Sequence, residues 1–236
     1  MLKSLIIIPA YNEESCIEKV IDEVKAIGDS HEIIVINDGS SDKTEALVRG
    51  KGVSIVTHPI NLGAGATIQT GLLYAKQHAY DLATVVDGDG QHDPAEVKKL
   101  IAAMASNTAD VVVGSRFIEK TDGKIHWPRR IGIYLFAIIA SSISGCKITD
   151  TTSGFRTFNK QAIEFLSREM PQDFPDADML LSLIFSGYKI IEVPVSIRER
   201  QGGKSMYTFL RSVYYPFKLL IALLAVFLRT ALGKRR

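Results

Sequence analysis

Two aspartates that follow a short apolar run are the residues of this chain best suited to chemistry. Residues 82–86 predict a buried strand, and Asp87-Gly88-Asp89-Gly90-Gln91 follows it directly. Two carboxylates spaced i, i+2 at a strand end can share one divalent cation, and the amide oxygen of Gln91 can add a third ligand. Mg²⁺ and Mn²⁺ prefer such oxygen ligands and keep part of their coordination shell for substrate phosphates. The pattern indicates a metal-held diphosphate, although an acidic surface turn would have a similar composition.

The apolar runs in the first half of the chain predict the elements that position these aspartates. Strands are predicted at 4–8, 32–36, 53–57, 82–86 and 110–114, and helices at about 14–27, at 65–79 and from Asp93-Pro94 onward. Strands that alternate with helices predict an α/β fold, with a largely parallel sheet and helices on both faces. Ligands of such sheets bind beyond the carboxyl ends of the strands, which is where we expect Asp38, Asp87 and Asp89.

Composition excludes several classes of protein. A chain of 236 residues with 46% hydrophobic content is long enough for one α/β core without covalent or metal staples. Cys16 and Cys146 lie far apart without CxxC spacing, which argues against zinc and disulfides and for a reducing compartment. A net charge of +2 lacks the basic excess of a nucleic-acid-binding protein. A dinucleotide loop at Gly63-Ala64-Gly65 would need a third glycine where Ile68 stands.

The C-terminal end predicts contact with a membrane. Residues 219–228 are uncharged and apolar, but this run is far shorter than the ~20 residues that span a bilayer. Lys218 and Arg229 flank the run, and Lys234-Arg235-Arg236 ends the chain, so basic groups can meet anionic lipid head groups. We therefore divide the chain into a main domain, 1–212, and a membrane-associating hydrophobic and basic tail, 213–236. A C-terminal helix docked on the domain is the alternative.

A set of ordered motifs resembles a known family. The motifs are Ile8-Pro9-Ala10-Tyr11-Asn12-Glu13, Val35-Ile36-Asn37-Asp38-Gly39-Ser40-Ser41-Asp42, Asn61-Leu62-Gly63-Ala64-Gly65, Asp87-Gly88-Asp89-Gly90-Gln91-His92, Gly114-Ser115-Arg116-Phe117, Thr152-Ser153-Gly154-Phe155-Arg156 and Glu192-Val193-Pro194-Val195. In this order they resemble family 2 glycosyltransferases of the GT-A fold, in the branch of the dolichyl-phosphate mannose synthases. The resemblance covers about residues 4–206, and the ordered set is far more specific than any one motif.

The resemblance implies a fold, an activity and partners. The fold would be a Rossmann-like, mostly parallel sheet flanked by helices, with the tail as a C-terminal amphipathic, hydrophobic helix. The activity would be metal-dependent, inverting transfer of a sugar from a nucleotide-sugar donor to a polyprenyl phosphate. Mg²⁺ or Mn²⁺ would be the cofactor, and the enzyme would work at the cytoplasmic face of a membrane without binding nucleic acid.

The resemblance also implies roles for individual residues. Those that would bind the nucleotide sugar are Pro9, Tyr11, Glu13, Ile36, Asp38, Asp87, Gly88, Asp89, Arg116, Arg200 and Lys204. Those that would act in catalysis are Asp89, Arg116, Arg200 and Asp178, and Asp89 and Gln91 would ligate the metal. The two arginines would contact donor or acceptor phosphate, because a guanidinium fork matches paired oxygens.

The late loop departs from the family pattern, which often reads R-x-x-G-x-S-K. Here Arg200 is followed by Gln201-Gly202-Gly203-Lys204-Ser205-Met206, so a methionine stands where a lysine is usual. Lys204 itself stands two residues before that position. A phosphate contact by Lys204 therefore requires a loop of different shape.

Two alternative functions also fit the residues. A family 2 transferase that adds sugar to a hydroxyl of a lipid-linked saccharide or polysaccharide would need Asp178 as a base, whereas a phosphate acceptor needs none. An inactive nucleotide-sugar-binding module is the other alternative, and the complete set Asp87, Asp89 and Gln91 argues against it. His92 fits the start of a helix as well as it fits a metal ligand, so we assign it no role.

Overall fold

The computed structural model describes residues 2–28, 30–106, 109–118, 137–138, 141–142, 145, 147–171 and 177–198. The strands are β1 (Ser4–Ala10), β2 (His31–Asn37), β3 (Ser54–Thr57), β4 (Leu82–Val85), β5 (Val111–Ser115), β6 (Arg156–Asn159) and β7 (Ile190–Pro194). The helices are α1 (Ile17–Lys25), α2 (Thr44–Gly50), α3 (Ala64–Gln77), α4 (Val97–Ser106), α5 (Lys160–Glu169) and α6 (Ala177–Phe185), with a 3₁₀ turn at Pro94–Glu96. The predicted tail at 213–236, Arg200 and Lys204 lie outside the described residues.

The strands form one seven-stranded sheet in the order β3-β2-β1-β4-β6-β5-β7. β1 is parallel to β2 and β4, β2 is parallel to β3, and β5 is parallel to β7. Only β6 runs against its neighbours β4 and β5 among these described pairs. The predicted mostly parallel α/β sheet is confirmed, and each predicted strand lies within two residues of its observed bounds.

Both faces of the sheet are covered by helices. On β1, Ile6 and Ile8 face a core formed with α1, α2 and α4, whereas Leu5 and Ile7 face a core formed with α3, α5 and α6. All four side chains are at most 1% exposed. A strand buried on both sides needs apolar residues at every position, which explains why its sequence shows no polar alternation. The predicted helices on both faces are confirmed.

Hydrogen bonds continue past the carboxyl ends of the central strands and place the following loops side by side. The backbone N–H of Asp38 donates to the carbonyl of Ala10 (2.9 Å), and that of Gly88 donates to the carbonyl of Pro9 (3.2 Å). The loops after β1, β2 and β4 therefore start at one edge of the sheet, where ligands of parallel sheets bind. The three aspartates predicted at strand ends all follow strands that end at this edge.

No helix in the described part of the chain is long and apolar enough to cross a membrane. The longest of these helices is α3, which starts at Ala64 and ends at Gln77. Its buried residues pack against β1 and β2 and place it within the core of the domain.

Candidate active site

The turn after β4 is pressed against the end of β1 and keeps its carboxylates near the surface. A Cβ added to Gly88 would lie 2.8 Å from the carbonyl oxygen of Pro9, so only glycine allows this close approach. The side chain of Asp87 is 40% exposed. Asp89 Oδ1 accepts a hydrogen bond from the backbone N–H of Gln91 (3.0 Å), which closes the turn. The turn therefore holds Asp87 and Asp89 on a fixed backbone at the edge of the sheet.

Gly154 leaves room for the carboxylate of Asp87. A Cβ added to Gly154 would lie 3.2 and 3.3 Å from the carboxylate oxygens of Asp87, closer than ordinary van der Waals contact. Gly154 lies just before β6, the strand that pairs with β4 in antiparallel register. Two motifs far apart in sequence, at 87–92 and 152–156, thus meet at the Asp87 carboxylate.

The donor atoms of this turn fit Mg²⁺ or Mn²⁺. Asp89 and Gln91 offer carboxylate and amide oxygens, which these cations prefer, whereas structural zinc sites use cysteine and histidine. The described residues contain no group of three His, Cys, Asp or Glu side chains arranged to hold a metal. A site that takes one carboxylate and one amide from the protein matches metals that keep other positions for substrate phosphates.

The loops after β1 and β2 are tied together by hydrogen bonds. The amide oxygen of Asn12 accepts from the backbone N–H of Ser41 (2.8 Å), and the hydroxyl of Ser40 accepts from that of Asn12 (2.9 Å). Asn12 adopts a positive φ of 55°, which turns the chain there. The neighbouring Tyr11 side chain is 42% exposed. The loops thus present one aromatic ring on a fixed backbone.

The other residues predicted to bind the nucleoside are less accessible. Glu13 is 7% exposed, and its backbone N–H donates to the hydroxyl of Thr44 (2.9 Å). Ile36 is fully buried and packs in the core on the α3 side of the sheet. Pro9 is half-buried, and its carbonyl accepts the Gly88 N–H. The nucleoside role of these three residues stays a prediction.

Asp38 uses both carboxylate oxygens inside the protein. It is 3% exposed, and its oxygens accept the backbone N–H groups of Leu62 and Gly63, each at 2.9 Å. His58 Nδ1 lies 2.8 Å from the same carboxylate, and His58 Nε2 lies 2.9 Å from the hydroxyl of Thr70. Asp38 therefore holds the loop that precedes α3. Its predicted contact with the nucleoside stays a prediction.

Arg116 forms a fork with a buried carboxylate. Its Nε and one terminal nitrogen each donate to Asp150 at 2.6 Å, and the same terminal nitrogen lies 2.6 Å from the hydroxyl of Thr152. Asp150 is 0% exposed. Burial by itself favours the protonated carboxyl, but the hydrogen bonds and positive charge of Arg116 outweigh it and hold the pKa of Asp150 below its ordinary range. The predicted phosphate contact of Arg116 stays a prediction.

Glu192 on β7 holds the loop that carries Asp150. Its carboxylate accepts the backbone N–H groups of Thr149 (2.9 Å) and Asp150 (2.8 Å) and the hydroxyl of Thr149 (2.6 Å). Because that hydroxyl donates to Glu192, the hydroxyl of Ser115 must donate to Thr149 over their 2.7 Å contact. Burial is the largest influence on Glu192 and raises its pKa, against the hydrogen bonds from Thr149 and Asp150.

Asp178 lies in the first turn of α6, next in sequence to Met179, whose sulfur contacts a buried arginine. Its exposed fraction is 9%. Arg156 is fully buried, and its terminal nitrogens lie 3.9 Å from the sulfur of Met179 and 3.4 Å from the carbonyl of Thr151. The start of α6 therefore packs over the guanidinium of Arg156. The predicted catalytic role of Asp178 stays a prediction.

The segment after β7 pairs with the turn after β4. Ile197 forms an antiparallel bridge with His92, and the backbone N–H of Arg198 donates to the carbonyl of Gln91 (2.9 Å). The guanidinium of Arg198 contacts Glu23 of α1 (2.6 Å) and Asp93 (3.0 Å). The chain that leads to the predicted phosphate residues at 200 and 204 is thus held beside the predicted metal ligands.

Comparison with known proteins identifies the family. The sequence profile described as Glycosyl transferase family 2 matches residues 5–166. The chain belongs to this family. The predicted class of enzyme, a glycosyltransferase, is confirmed.

Relatives of this glycosyltransferase are named for lipid-phosphate acceptors. It is 30% identical over 183 residues to the UDP-N-acetylglucosamine–dolichyl-phosphate N-acetylglucosaminyltransferase of Methanococcus voltae. This match covers 70% of this chain and 72% of that protein. It is 28% identical over 214 residues to the polyprenol monophosphomannose synthase of Mycolicibacterium smegmatis. This match covers 86% of this chain and 80% of that protein.

Solved structures confirm the GT-A fold of the glycosyltransferase. Glucosyl-3-phosphoglycerate synthase from Mycobacterium tuberculosis, solved with Mn²⁺, UDP-glucose and phosphoglyceric acid, superposes with a TM-score of 0.74 at 18% identity. The match covers 95% of this chain and 79% of that chain. At this identity the likeness establishes the fold alone.

The sequence analysis did not predict the buried side chains that bind the loops of the candidate site of the glycosyltransferase. Asp150 and Glu192 were assigned no role, although Glu192 stands in a motif that carried the resemblance. His92, which we discounted, is 4% exposed and lies beside Asp87. The sequence signal that could have found these residues is their place in the motifs or next to them.

Proposed function

We propose that this glycosyltransferase moves a hexose from a nucleotide-sugar donor to a polyprenyl phosphate, with inversion, at the cytoplasmic face of a membrane and with Mg²⁺ or Mn²⁺. The observation that carries the proposal is the turn at 87–91, fixed between Pro9 and Gly154 with Asp87 partly exposed. Relatives named for dolichyl and polyprenyl phosphates support the acceptor. A structural neighbour solved with Mn²⁺ and UDP-glucose supports the donor and the metal.

The donor would lie along the carboxyl edge of the sheet. The exposed ring of Tyr11 offers a stacking face for the base, and Asp87 with the backbone of Gly88 would meet the ribose and diphosphate. Asp89 and Gln91 would hold the cation, which when bound neutralises charge on the departing diphosphate. The backbone that carries these groups is held by hydrogen bonds and by the close approach of Gly88 to Pro9, so less of the site has to be ordered when the donor binds.

The acceptor needs no general base. A phosphate monoester is an anion at neutral pH, so its oxygen can attack the anomeric carbon directly while the bond to the diphosphate breaks on the opposite side. The configuration at that carbon inverts. Positive groups stabilise the charge that develops on the leaving diphosphate, which is the role proposed for Arg116 and Arg200. Asp178 has no required proton to remove in this reaction.

The decisive experiment offers a panel of nucleotide sugars with Mn²⁺ or Mg²⁺ to the purified full chain and resolves the products by mass. One arm contains a polyprenyl phosphate and the matched arm contains the same polyprenol without its phosphate. We expect a glycosyl-phosphoprenol product in the first arm alone, lost on chelation and restored by the metal. Equal transfer to the polyprenol hydroxyl would contradict the phosphate acceptor, and failure to use any donor would contradict the activity.

Membrane contact through residues 213–236 is a separate part of the proposal. The basic groups near its end are each worth ~1 kcal/mol at an anionic surface, so binding should weaken as salt rises. We expect the full chain to co-sediment with anionic vesicles and not with neutral ones, and deletion of 213–236 to reduce this binding. The deletion should lower turnover on the lipid acceptor more than hydrolysis of the donor. Equal vesicle binding by both proteins would place the membrane contact elsewhere in the chain.

A further inference from the structure

His92 is a buried histidine beside the candidate active site that the proposed reaction does not use. It is 4% exposed, and its ring stacks on Phe155, with 4.7 Å between ring centroids and 15° between planes. Phe155 is itself fully buried, and the backbone of His92 pairs with Ile197 after β7. The ring is therefore held on its face by an aromatic neighbour and through its backbone by a strand-like pairing.

The hydrogen bond at Nδ1 fixes the tautomer of His92. The backbone N–H of Asp87 donates to Nδ1 over 3.1 Å. An amide N–H can only donate, so Nδ1 must carry the lone pair and Nε2 must carry the proton. Nε2 lies 3.5 Å from Oδ2 of the same Asp87. One imidazole thus accepts from the main chain of Asp87 and directs an N–H toward its side chain.

The Asp87 carboxylate lies close to both this ring and Gly154. On the Gly154 side the backbone lies so close that an added Cβ would be 3.2 Å from Oδ2. The Nε2–H of His92 favours the orientation that turns Oδ2 toward the ring. The 3.5 Å separation is longer than a good hydrogen bond, and such contacts often shorten when a ligand binds.

We propose that His92 is a positioning residue that orients Asp87 for the nucleotide diphosphate. This inference rests on the proposed function, because Asp87 is there assigned to the ribose and diphosphate. A carboxylate held in its binding orientation before the donor arrives loses less conformational freedom on binding, so affinity rises without a new contact to the ligand. The same logic makes the outer hydrogen bonds of metal-binding histidines matter for affinity.

The first test needs no variant. A long-range ¹H–¹⁵N spectrum of the histidine rings in the unmodified protein reports which ring nitrogen carries the proton. We expect Nδ1 of His92 to be the unprotonated nitrogen. Protonated Nδ1 would overturn the inference, because the Asp87 N–H would then have no acceptor on this ring.

The second test is a double-mutant cycle on nucleotide binding by the full chain, read by calorimetry with Mn²⁺ and UDP, and with Mn²⁺ and GDP. His92→Phe keeps the stacking on Phe155 and removes both ring nitrogens, so we expect affinity to fall about tenfold. His92→Asn retains an acceptor near the Nδ1 position and should lose less. In an Asp87→Ala background, His92→Phe should cause no further loss, because a residue that acts through Asp87 has nothing left to orient.

His31→Phe is the matched control, because His31 starts β2 at the opposite end of that strand from the candidate site. It should leave nucleotide affinity unchanged. Equal losses from His92→Phe in both Asp87 backgrounds, or an unchanged affinity in folded His92→Phe, would overturn the inference while leaving the proposed function intact. If His92→Phe does not fold, the same cycle is measured with His92→Asn, and the ring spectrum of the unmodified protein still tests the inference. If the unmodified chain uses no nucleotide sugar of the panel with Mn²⁺ or Mg²⁺, the proposed function fails and this inference fails with it.

Discussion

Two groups of carboxylates lie at one end of the molecule, and the structure uses them differently. Asp87 and Asp89, in the turn after β4, remain partly exposed on a backbone fixed by close glycine contacts. Asp38 and Asp150 are 3% and 0% exposed, and their oxygens accept hydrogen bonds from the loops after β3 and β5. The first group is accessible to a ligand, and the second holds loops at the same edge of the sheet.

The difference shows that an aspartate at a strand end does not by itself identify a ligand-binding residue. A buried carboxylate whose oxygens already accept several hydrogen bonds contributes mainly to the free energy of folding, and removing its acceptors leaves buried donors unpaired. An exposed carboxylate contributes little to the free energy of folding, but it can bind strongly to a positive charge on a ligand or cation. Substitutions in the first group should therefore reduce activity, and substitutions in the second should reduce stability.

The largest effect is expected for Asp89→Ala. Turnover of nucleotide sugar should fall about a thousandfold, because the variant loses the carboxylate proposed to hold the cation. The free energy of unfolding should change by less than about 1 kcal/mol, since the side chain is partly exposed. Initial rates and urea unfolding measure the two quantities, with the unmodified protein under chelator as the reference for lost metal. Full activity in Asp89→Ala would show that Asp89 does not hold a required cation.

Asp150→Asn should show the reverse pattern, with a stability loss of about 3 kcal/mol. Its negative charge is the partner of Arg116, whose side chain is only 17% exposed, so the substitution leaves a cation poorly solvated. Because the folded-state pKa of Asp150 is lowered, its contribution is present above the ordinary value of 3.8 and is lost as pH falls through the folded pKa. The difference from the unmodified protein should therefore shrink in strong acid.

Urea unfolding at neutral and acidic pH measures the Asp150 effect. The matched control is Glu164→Gln, which removes one partner of the exposed Arg168–Glu164 pair and should cost less than about 0.5 kcal/mol. A loss at Asp150 as small as that of the control would show that burial does not separate the two groups.

The parallel half of the fold could be predicted because its signals are local. The apolar run of β1 predicts a strand buried on both faces, and Asp93-Pro94 predicts the start of a helix. In the structure the Asp93 side chain accepts a hydrogen bond from the Ala95 N–H at that start. β6 escaped prediction because Arg156-Thr157-Phe158-Asn159 has neither an apolar run nor clear alternation. It is a strand because β4 and β5 lie on either side of it, with the hydroxyls of Thr84 and Thr157 2.9 Å apart.

The residues at the site could be located from the sequence, but their partners could not. That Asp38 follows a strand is visible in the chain, whereas its hydrogen bonds to Leu62 and Gly63 depend on how the loop after β3 folds back. The fork between Arg116 and Asp150 joins positions far apart in sequence. Whether a polar residue serves the ligand or the fold depends on such contacts, which no local pattern encodes.

A smaller effect is expected for Asp178→Asn. At 9% exposure Asp178 belongs by burial with the second group, and transfer to a phosphate needs no base, so activity on polyprenyl phosphate should fall less than about tenfold. Initial rates with saturating donor, alongside the unfolding curve of the variant, measure this. A loss of several orders of magnitude in a folded variant that still binds donor would favour a hydroxyl acceptor and would move Asp178 into the first group.

The smallest effect, about 1 kcal/mol, is expected for Glu192→Gln, since the amide oxygen can still accept the N–H groups of Thr149 and Asp150. The pH dependence is more informative. Burial raises the folded-state pKa of Glu192 above 4.5, so the folded protein binds this proton more tightly than the unfolded chain. Stability should therefore fall as pH rises from about 4.5 through the folded pKa, opposite in sign to the contribution of Asp150. Glutamine does not titrate in this range, so urea unfolding of Glu192→Gln should lack that decline, while the loss of stability in stronger acid that Asp150 causes should remain. An unchanged decline in the variant would assign it to another group and would leave Glu192 with a purely hydrogen-bonding role.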